Sequence, residues 1–384
     1  MRLASVSIPL SGERFRVTYS VLAVDEAEAA RRARDIALEQ TVEFPEDLTP
    51  EGDILDQIVG HVEEISHVSG QPGSWQVVIS YAVESAGEDT TQFLNVLFGN
   101  TSIQKGVRVE SFSLPPAMVK QRGPRFGRAG LRALLKAPIR PLLCTALKPM
   151  GYGPAELARL AWGFARGGID LIKDDHGLAD QSFATFAERV KACAEAVGEA
   201  NAISGYHSLY MPHISAPADQ LLERALLARE LGAGALLICP GLTGWDSMRM
   251  IADDERINLP VMCHPALLGS FTASAGSGIS HYALYGLLAR LFGADASIFP
   301  SWGGRFSFSR EECASIVAGT EAPFANMKPI FPTPGGGMTM ERVADMQAVY
   351  GRDVIYLMGG GLHRNSPDVA ANSASFREIV ENMA

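Results

Sequence analysis

The chain is poor in cysteine, in long apolar runs and in positive charge. Its 384 residues include only five cysteines. They are scattered at Cys144, Cys193, Cys239, Cys263 and Cys313, mostly inside apolar runs, a pattern that argues against a disulfide framework and predicts reduced thiols in a cytosolic interior. No stretch approaches the ~18 apolar residues needed to span a bilayer, and the opening MRLASVSIPLSGERF lacks the apolar core of a secretory signal. A cytoplasmic protein with no membrane partner is expected. Lys plus Arg total 33 against 43 Asp plus Glu, a formal net charge of −10, which excludes a nucleic-acid or anionic-membrane partner because phosphate contacts demand clustered cations. The one basic run, Lys120 to Lys136, is interleaved with Gly and Pro and reads as a linker face.

What is present describes a globular chain: 47% hydrophobic and 20% charged residues, with length enough for two domains. The first third mixes strand and helix signals. Phe15 to Ala23, Trp75 to Val83 and Val107 to Leu114 alternate like strands, while Glu26 to Leu38 and Gln92 to Leu97 have helical spacing, so residues 1–120 read as an α+β domain of ferredoxin-like kind. Residues 121–140 have the composition of a linker. Across 141–384, short apolar runs (PLLCTAL, IDLIK, AISGY, ALLICP, PVMCHP, ASIFPS, KPIFPT, VIYLMGG) alternate with amphipathic stretches. About eight such repeats predict a (β/α)8 TIM barrel over an open doubly wound sheet, and put function where the runs end.

Those ends hold reactive side chains. In GGIDLIKDDHG, Gly167 to Gly177, an apolar strand finishes in Lys173, Asp174, Asp175 and His176. Carboxylates there suit magnesium, with the lysine a counter-ion or, once carbamylated by carbon dioxide, a further oxygen ligand; the other reading is a buried Lys–Asp pair. Lys148 ends the first barrel run, His207 is assigned to the third and His264 to the fifth, each placed to move a proton or polarise an oxygen. Glycine clusters at Pro334 to Met338 and Met358 to Arg364 fall at the seventh and eighth ends, where backbone N–H groups hold phosphate, although a tight turn also explains either one. Metal, phosphate and a rim lysine together point to enolisation.

GGIDLIKDDHG resembles the GGxDxxKDDE signature of the ribulose bisphosphate carboxylase large chain. TALKPMG resembles the same family's TxKPKxG, and LFGNTSIQKGVRVESFSLP resembles the end of its N-terminal domain. The resemblance implies a homodimer with active sites shared between one barrel and the partner's N-terminal domain. It also implies a carbamylated Lys173 binding Mg2+ with Asp175, Lys148 as the proton-transfer lysine, and Gly336, Gly337, Gly359 and Gly360 on the phosphate. Glu39 and Asn95 correspond to residues supplied by the partner subunit.

The departures matter as much. His176 replaces the glutamate expected as third metal ligand. Met150 stands for the second lysine of the KPK element, Pro265 for a phosphate-gripping arginine, Ile298 for a phosphate-binding histidine and Arg305 for the lysine that positions carbon dioxide. A bisphosphate would then be buried without compensating charge. The pattern resembles the RuBisCO-like proteins and implies metal-assisted enolisation of a monophosphorylated sugar or sugar acid, of the isomerase or tautomerase type. Decarboxylation of a phosphorylated 3-oxo sugar acid, binding of a phosphorylated ligand without turnover, and carboxylation of ribulose bisphosphate are the alternatives, in that order. His264, Lys148 and His176 compete for the role of base.

Overall fold

A computed structural model describes residues 3–306, 308–364 and 366–382. They form two compact units, Met1–Lys120 with Leu268–Leu284 and Pro323–Asn326, and Gln121–Leu267 with Tyr285–Ala322 and Met327–Ala384.

The first unit is built on β1 (Arg14–Leu22), β2 (His61–His67), β3 (Ser74–Ala82) and β4 (Val107–Ser113), joined by a two-residue strand, Gly278–Ile279, numbered β10 by its place in the chain. Their order is β10-β4-β1-β3-β2. Every second residue of β1, Phe15, Val17, Tyr19 and Val21, is fully buried, as a one-faced sheet requires. Helix Glu26–Glu39 turns Ala29, Ala33, Ile36 and Ala37 inward and is started by Asp25, which accepts a hydrogen bond from the Glu28 N–H. In helix Thr90–Phe98, Phe93 meets Phe15 edge to face with centroids 5.6 Å apart. Strand β2 lies at the sheet edge and is part-exposed on both faces, so its sequence carries no clear alternation.

The second unit holds eight parallel strands: β5 (Leu142–Leu147), β6 (Leu171–Asp174), β7 (Leu209–Met211), β8 (Leu236–Ile238), β9 (Val261–Cys263), β11 (Ala296–Pro300), β12 (Phe331–Gly335) and β13 (Ile355–Leu357). They lie in two arcs, β13-β5-β6-β7 and β12-β11-β9-β8. One seam between the arcs carries a single bridge, His213 to Leu237. At the other, the Phe331 N–H reaches the Asp295 carbonyl beside β11, so the odd residues of β12 turn their backbone that way. Pro332 and Pro334 therefore face β13 with no N–H to offer, and no ladder forms there. Leu142, Cys144, Leu171, Met211, Leu237, Met262, Ile298, Phe331, Ile355 and Leu357 fill the barrel, closed below by Leu131, Leu135 and Ala137. The floor residues Leu131 and Leu135 come from helix Gly127–Leu135, inside the stretch expected to be linker. No helix among the described residues is long and apolar enough to cross a membrane.

Candidate functional site

Strand alternation decides what the end of β6 can do. Leu171 points into the barrel core, so Lys173 and Asp175 share its side while Asp174 faces the opposite way. There Asp174 is fully buried and saturated: it accepts from Arg189 Nε at 3.1 Å, the Tyr210 hydroxyl at 2.8 Å and the His213 N–H at 3.1 Å. Of the two aspartates, only Asp175 is open to the barrel mouth.

Around Asp175 the expected residues converge. Its Oδ1 lies 2.8 Å from Lys148 Nζ and 3.5 Å from His176 Nδ1. Burial raises the Asp175 carboxyl, but hydrogen bonds from His176 and Lys148 and the charges of Lys173 and Lys148 outweigh it and hold the group well below the usual carboxylate range. Lys173 is 2% exposed and donates to its neighbour's carbonyl, Asp174 O, at 3.0 Å. Burial lowers its amine, which favours the neutral form that carbon dioxide can carbamylate.

The His176 ring stacks on His264 with centroids 4.4 Å apart. His264 Nδ1 accepts the Ala266 N–H at 3.1 Å, which leaves the ring proton on Nε2. Burial, then the neighbouring Lys173, His176 and His213, hold His264 well below the ordinary imidazole value. It is a neutral donor.

The glycine clusters differ in kind. Gly336 and Gly337 have φ of 85° and 118°, conformations that favour glycine. A Cβ on Gly337 would also come within 3.1 Å of the Arg305 backbone nitrogen, so the turn is needed for packing as well. At Gly359 and Gly360 a Cβ would meet nothing within 4 Å. Neither a positive φ nor a packed neighbour accounts for glycine at those two positions. The exposed Arg305 sits in the loop after β11, which is tied to the Gly336 carbonyl by its own N–H at 2.9 Å, and its guanidinium lies over Phe306.

Glu39 and Asn95 belong to the first unit and are held on one surface there. The buried Gln40 donates to the carbonyls of Asn95 and Val96 at 2.8 Å each, and Glu39 accepts from Asn100 Nδ2 at 2.9 Å.

His207 is corrected. It precedes β7 and so lies at the closed end of its strand, because helix Phe186–Ser204 runs through the apolar AIS and stops only at the left-handed Gly205. The histidine past the end of β7 is His213, which the sequence reading missed. Its Nδ1 donates to the Leu178 carbonyl at 2.9 Å, leaving Nε2, 3.4 Å from Cys239 Sγ, to accept the thiol proton. Burial pushes the Cys239 thiol up to about 11, so this pair is structural. Its only signal was a histidine directly after a proline that ends a short apolar run.

Asp175 Oδ1 and His176 Nδ1 are spaced as two atoms on a single ion bound at roughly 2.1 Å can be. Among the described residues no three His, Cys, Asp or Glu side chains gather to hold a metal, so these two donors alone leave the rest of an ion's coordination to groups other than His, Cys, Asp or Glu side chains.

Comparison with known proteins gives the family. The family profile "Ribulose bisphosphate carboxylase large chain, catalytic domain" matches residues 128–303. Ribulose bisphosphate carboxylase-like protein 1 of Rhodopseudomonas palustris is 41% identical over 369 residues, 96% of this chain and 98% of that one. The 5-methylthioribulose-1-phosphate isomerase of Rhodospirillum rubrum is 40% identical over 374 residues, 97% of each chain. A crystal structure of a Rubisco-like protein from Rhodopseudomonas palustris superposes with a TM-score of 0.86 at 38% identity, covering 96% of this chain and 98% of the other. The chain belongs to the ribulose bisphosphate carboxylase large-chain family, among its RuBisCO-like members.

Proposed function

We propose that the protein is a non-carboxylating enzyme of isomerase or tautomerase type, which enolises a monophosphorylated sugar or sugar acid by moving a proton beside its carbonyl. The observation that carries this reading is the pairing of Lys148 with Asp175 next to the neutral donor His264. An enolate needs a group that takes a proton from carbon and returns it, and a donor that steadies the oxygen without protonating it outright. Lys148, 40% exposed at the end of β5, serves the first need. His264, through Nε2–H, serves the second.

Carbamylated Lys173, Asp175 and His176 would hold Mg2+, which when bound supplies Lewis-acid stabilisation of the enolate oxygen. Gly336, Gly337, Gly359 and Gly360 hold the phosphate, and Arg305 is available to a carboxylate on an acidic substrate. Glu39 and Asn95 reach the site from a second copy of the chain in a homodimer. The name of the Rhodospirillum rubrum relative, an isomerase of a ketose monophosphate, supports the reaction class. Carboxylation of a bisphosphate is disfavoured because Met150 and Pro265 supply no cation and Ile298 is part of the apolar barrel core.

Proton NMR in deuterated buffer with magnesium and bicarbonate tests the reading on a panel of phosphorylated ketoses and 3-oxo sugar acids. Deuterium is expected to wash in beside the carbonyl with wild-type protein and not with Lys173→Ala. Wash-in that survives in the variant, or measurable binding with no wash-in from any compound, refutes it.

A further inference from the structure

Gly359 and Gly360 have open space where a Cβ would stand, so their placement comes from the residues on either side. Upstream the anchor is β13, where the Met358 N–H donates to the Cys144 carbonyl of β5 at 2.9 Å. Downstream it is one side chain. The Leu362 N–H donates to the Gly359 carbonyl at 3.1 Å, and the Leu362 carbonyl accepts from Asn372 Nδ2 at 2.7 Å. That nitrogen also donates to the Ser366 carbonyl at 2.8 Å, while Asn372 Oδ1 accepts from the Ser366 hydroxyl at 3.1 Å. Asn372 is 4% exposed. Both N–H groups and the oxygen of its amide are thus spent on the segment that follows the glycines.

Asn372 stands on a helix that is itself fixed. Helix Val369–Glu381 is started by Asp368, which accepts from the N–H groups of Ala370 and Ala371, and it crosses helix Pro154–Arg166 so closely that only glycine fits at the contact. A Cβ on Gly163 would fall 2.5 Å from Val369 Cγ2, and one on Gly167 would fall 2.3 Å from the Ala370 carbonyl oxygen. Arg377 adds a hydrogen bond from Nη1 to the Gly168 carbonyl at 2.9 Å. On its other side the turn abuts the first glycine cluster, for a Cβ on Gly361 would come 2.8 Å from the Met338 carbonyl oxygen. Releasing the Leu362 carbonyl would therefore disturb the glycine turn where it meets that cluster, and backbone donors serve an anion only while their directions are held.

We propose that Asn372 is a positioning residue: it holds the turn at Gly359 and Gly360 in the shape that receives the substrate's phosphate, and does so from beneath without touching the ligand. The assignment rests on the phosphate reading of those two glycines, so each is tested by its own variant.

Calorimetry gives Kd for inorganic phosphate and for D-ribulose 1-phosphate with wild type, Asn372→Ala, Gly360→Ala, the double variant and Phe376→Leu, and a thermal midpoint accompanies each. Phe376 is fully buried in the same helix, and its ring makes no hydrogen bond to the turn, so Phe376→Leu loosens the helix without releasing the Leu362 carbonyl. Asn372→Ala is expected to raise Kd about tenfold for both ligands, the scale of one lost hydrogen bond, whereas Phe376→Leu lowers the midpoint and keeps Kd within about twofold of wild type. Gly360→Ala weakens both ligands, and adding Asn372→Ala to it costs less than about threefold more, because the turn no longer receives the phosphate. If Asn372→Ala does not fold, Asn372→Ser is read in its place, since a hydroxyl can bond back along the helix but is too short to reach Leu362. An affinity of the Asn372 variant within about twofold of wild type, equal weakening by Phe376→Leu, or full multiplication of the two effects in the double variant overturns the assignment. Weakening by Gly360→Ala with none from Asn372→Ala leaves the phosphate reading standing and removes Asn372 alone. No effect of Gly360→Ala, or no binding of either ligand by wild type, removes the phosphate reading and the assignment with it.

Discussion

Adjacent aspartates at the end of β6 are predicted to respond in opposite ways to the same substitution. In Asp174→Ala, Arg189 keeps its hydrogen bonds to the Ala184 and Ala179 carbonyls but loses its only carboxylate. Both side chains of this pair are 0% exposed. Removing one partner of a buried ion pair costs about 3–5 kcal/mol, because the remaining charge stays desolvated. The Tyr210 hydroxyl and the His213 N–H lose their acceptor too, which favours the upper end of that range. At roughly 2 °C per kcal/mol for a chain of this size, the thermal midpoint should fall by about 6–10 °C. Asp175→Ala instead strands Lys148, whose side chain is 40% exposed and hydrates freely, so its stability cost is about 1 kcal/mol or less while substrate-dependent proton exchange is lost. Circular dichroism melts and urea midpoints of both variants, beside wild type, decide the matter. If Asp174→Ala melts within about 2 °C of wild type, or Asp175→Ala melts as low as Asp174→Ala, the inward and outward assignment at β6 is wrong.

Asp295 provides a pH test. Burial raises its carboxyl to about 6 from 3.8, although it accepts from the N–H groups of Phe126, Gly127 and Val261. A raised folded value means the unfolded chain gives up this proton first, so the stability it contributes is full below about pH 4 and is lost as pH rises through about 6. The stability of wild type relative to Asp295→Asn, from urea unfolding, should therefore drop by about 2.4 kcal/mol between pH 4 and pH 7; a flat difference refutes the shift. The glycine clusters should separate as well. Gly336→Ala is expected to lower stability by about 1 kcal/mol or more through its φ of 85°, whereas Gly360→Ala, with nothing within 4 Å of the new methyl and a place in a short helical turn, leaves the melting point alone and raises KM for a phosphorylated substrate. Equal melting points for the two variants would remove the distinction.

Much of this was readable in the sequence because its signals are local. The alternation of Phe15 to Ala23 and the helical spacing from Glu26 mark the first unit, and each barrel strand brings its polar residues to its own end. What escaped depends on distant partners. KDDH has the same letters whichever way β6 faces, and it took the Arg189 and Tyr210 contacts to separate Asp174 from Asp175. AISGY looks like a strand, yet the helix before it continues until Gly205, and the true third strand is three residues long, too short for a periodic signal. The two glycine runs are nearly identical as text; only neighbours from another loop make Gly337 a packing glycine and leave Gly359 open. The Gly278–Ile279 strand has no strand composition, and it pairs with β4 from 170 residues away in the chain.

That late strand bears on synthesis. The outer edge of β4 is covered by residues 278–279, and the first unit draws its last pieces from Leu268–Leu284 and Pro323–Asn326. As the chain leaves the ribosome, everything up to Lys120 emerges with β4 still uncovered and waits while more than a hundred further residues are made. An unpaired strand edge is a template for pairing with another chain. A fragment cut at Lys120 keeps that edge for good, so expressing residues 1–120 alone invites association between chains that the full-length protein escapes once residue 279 arrives.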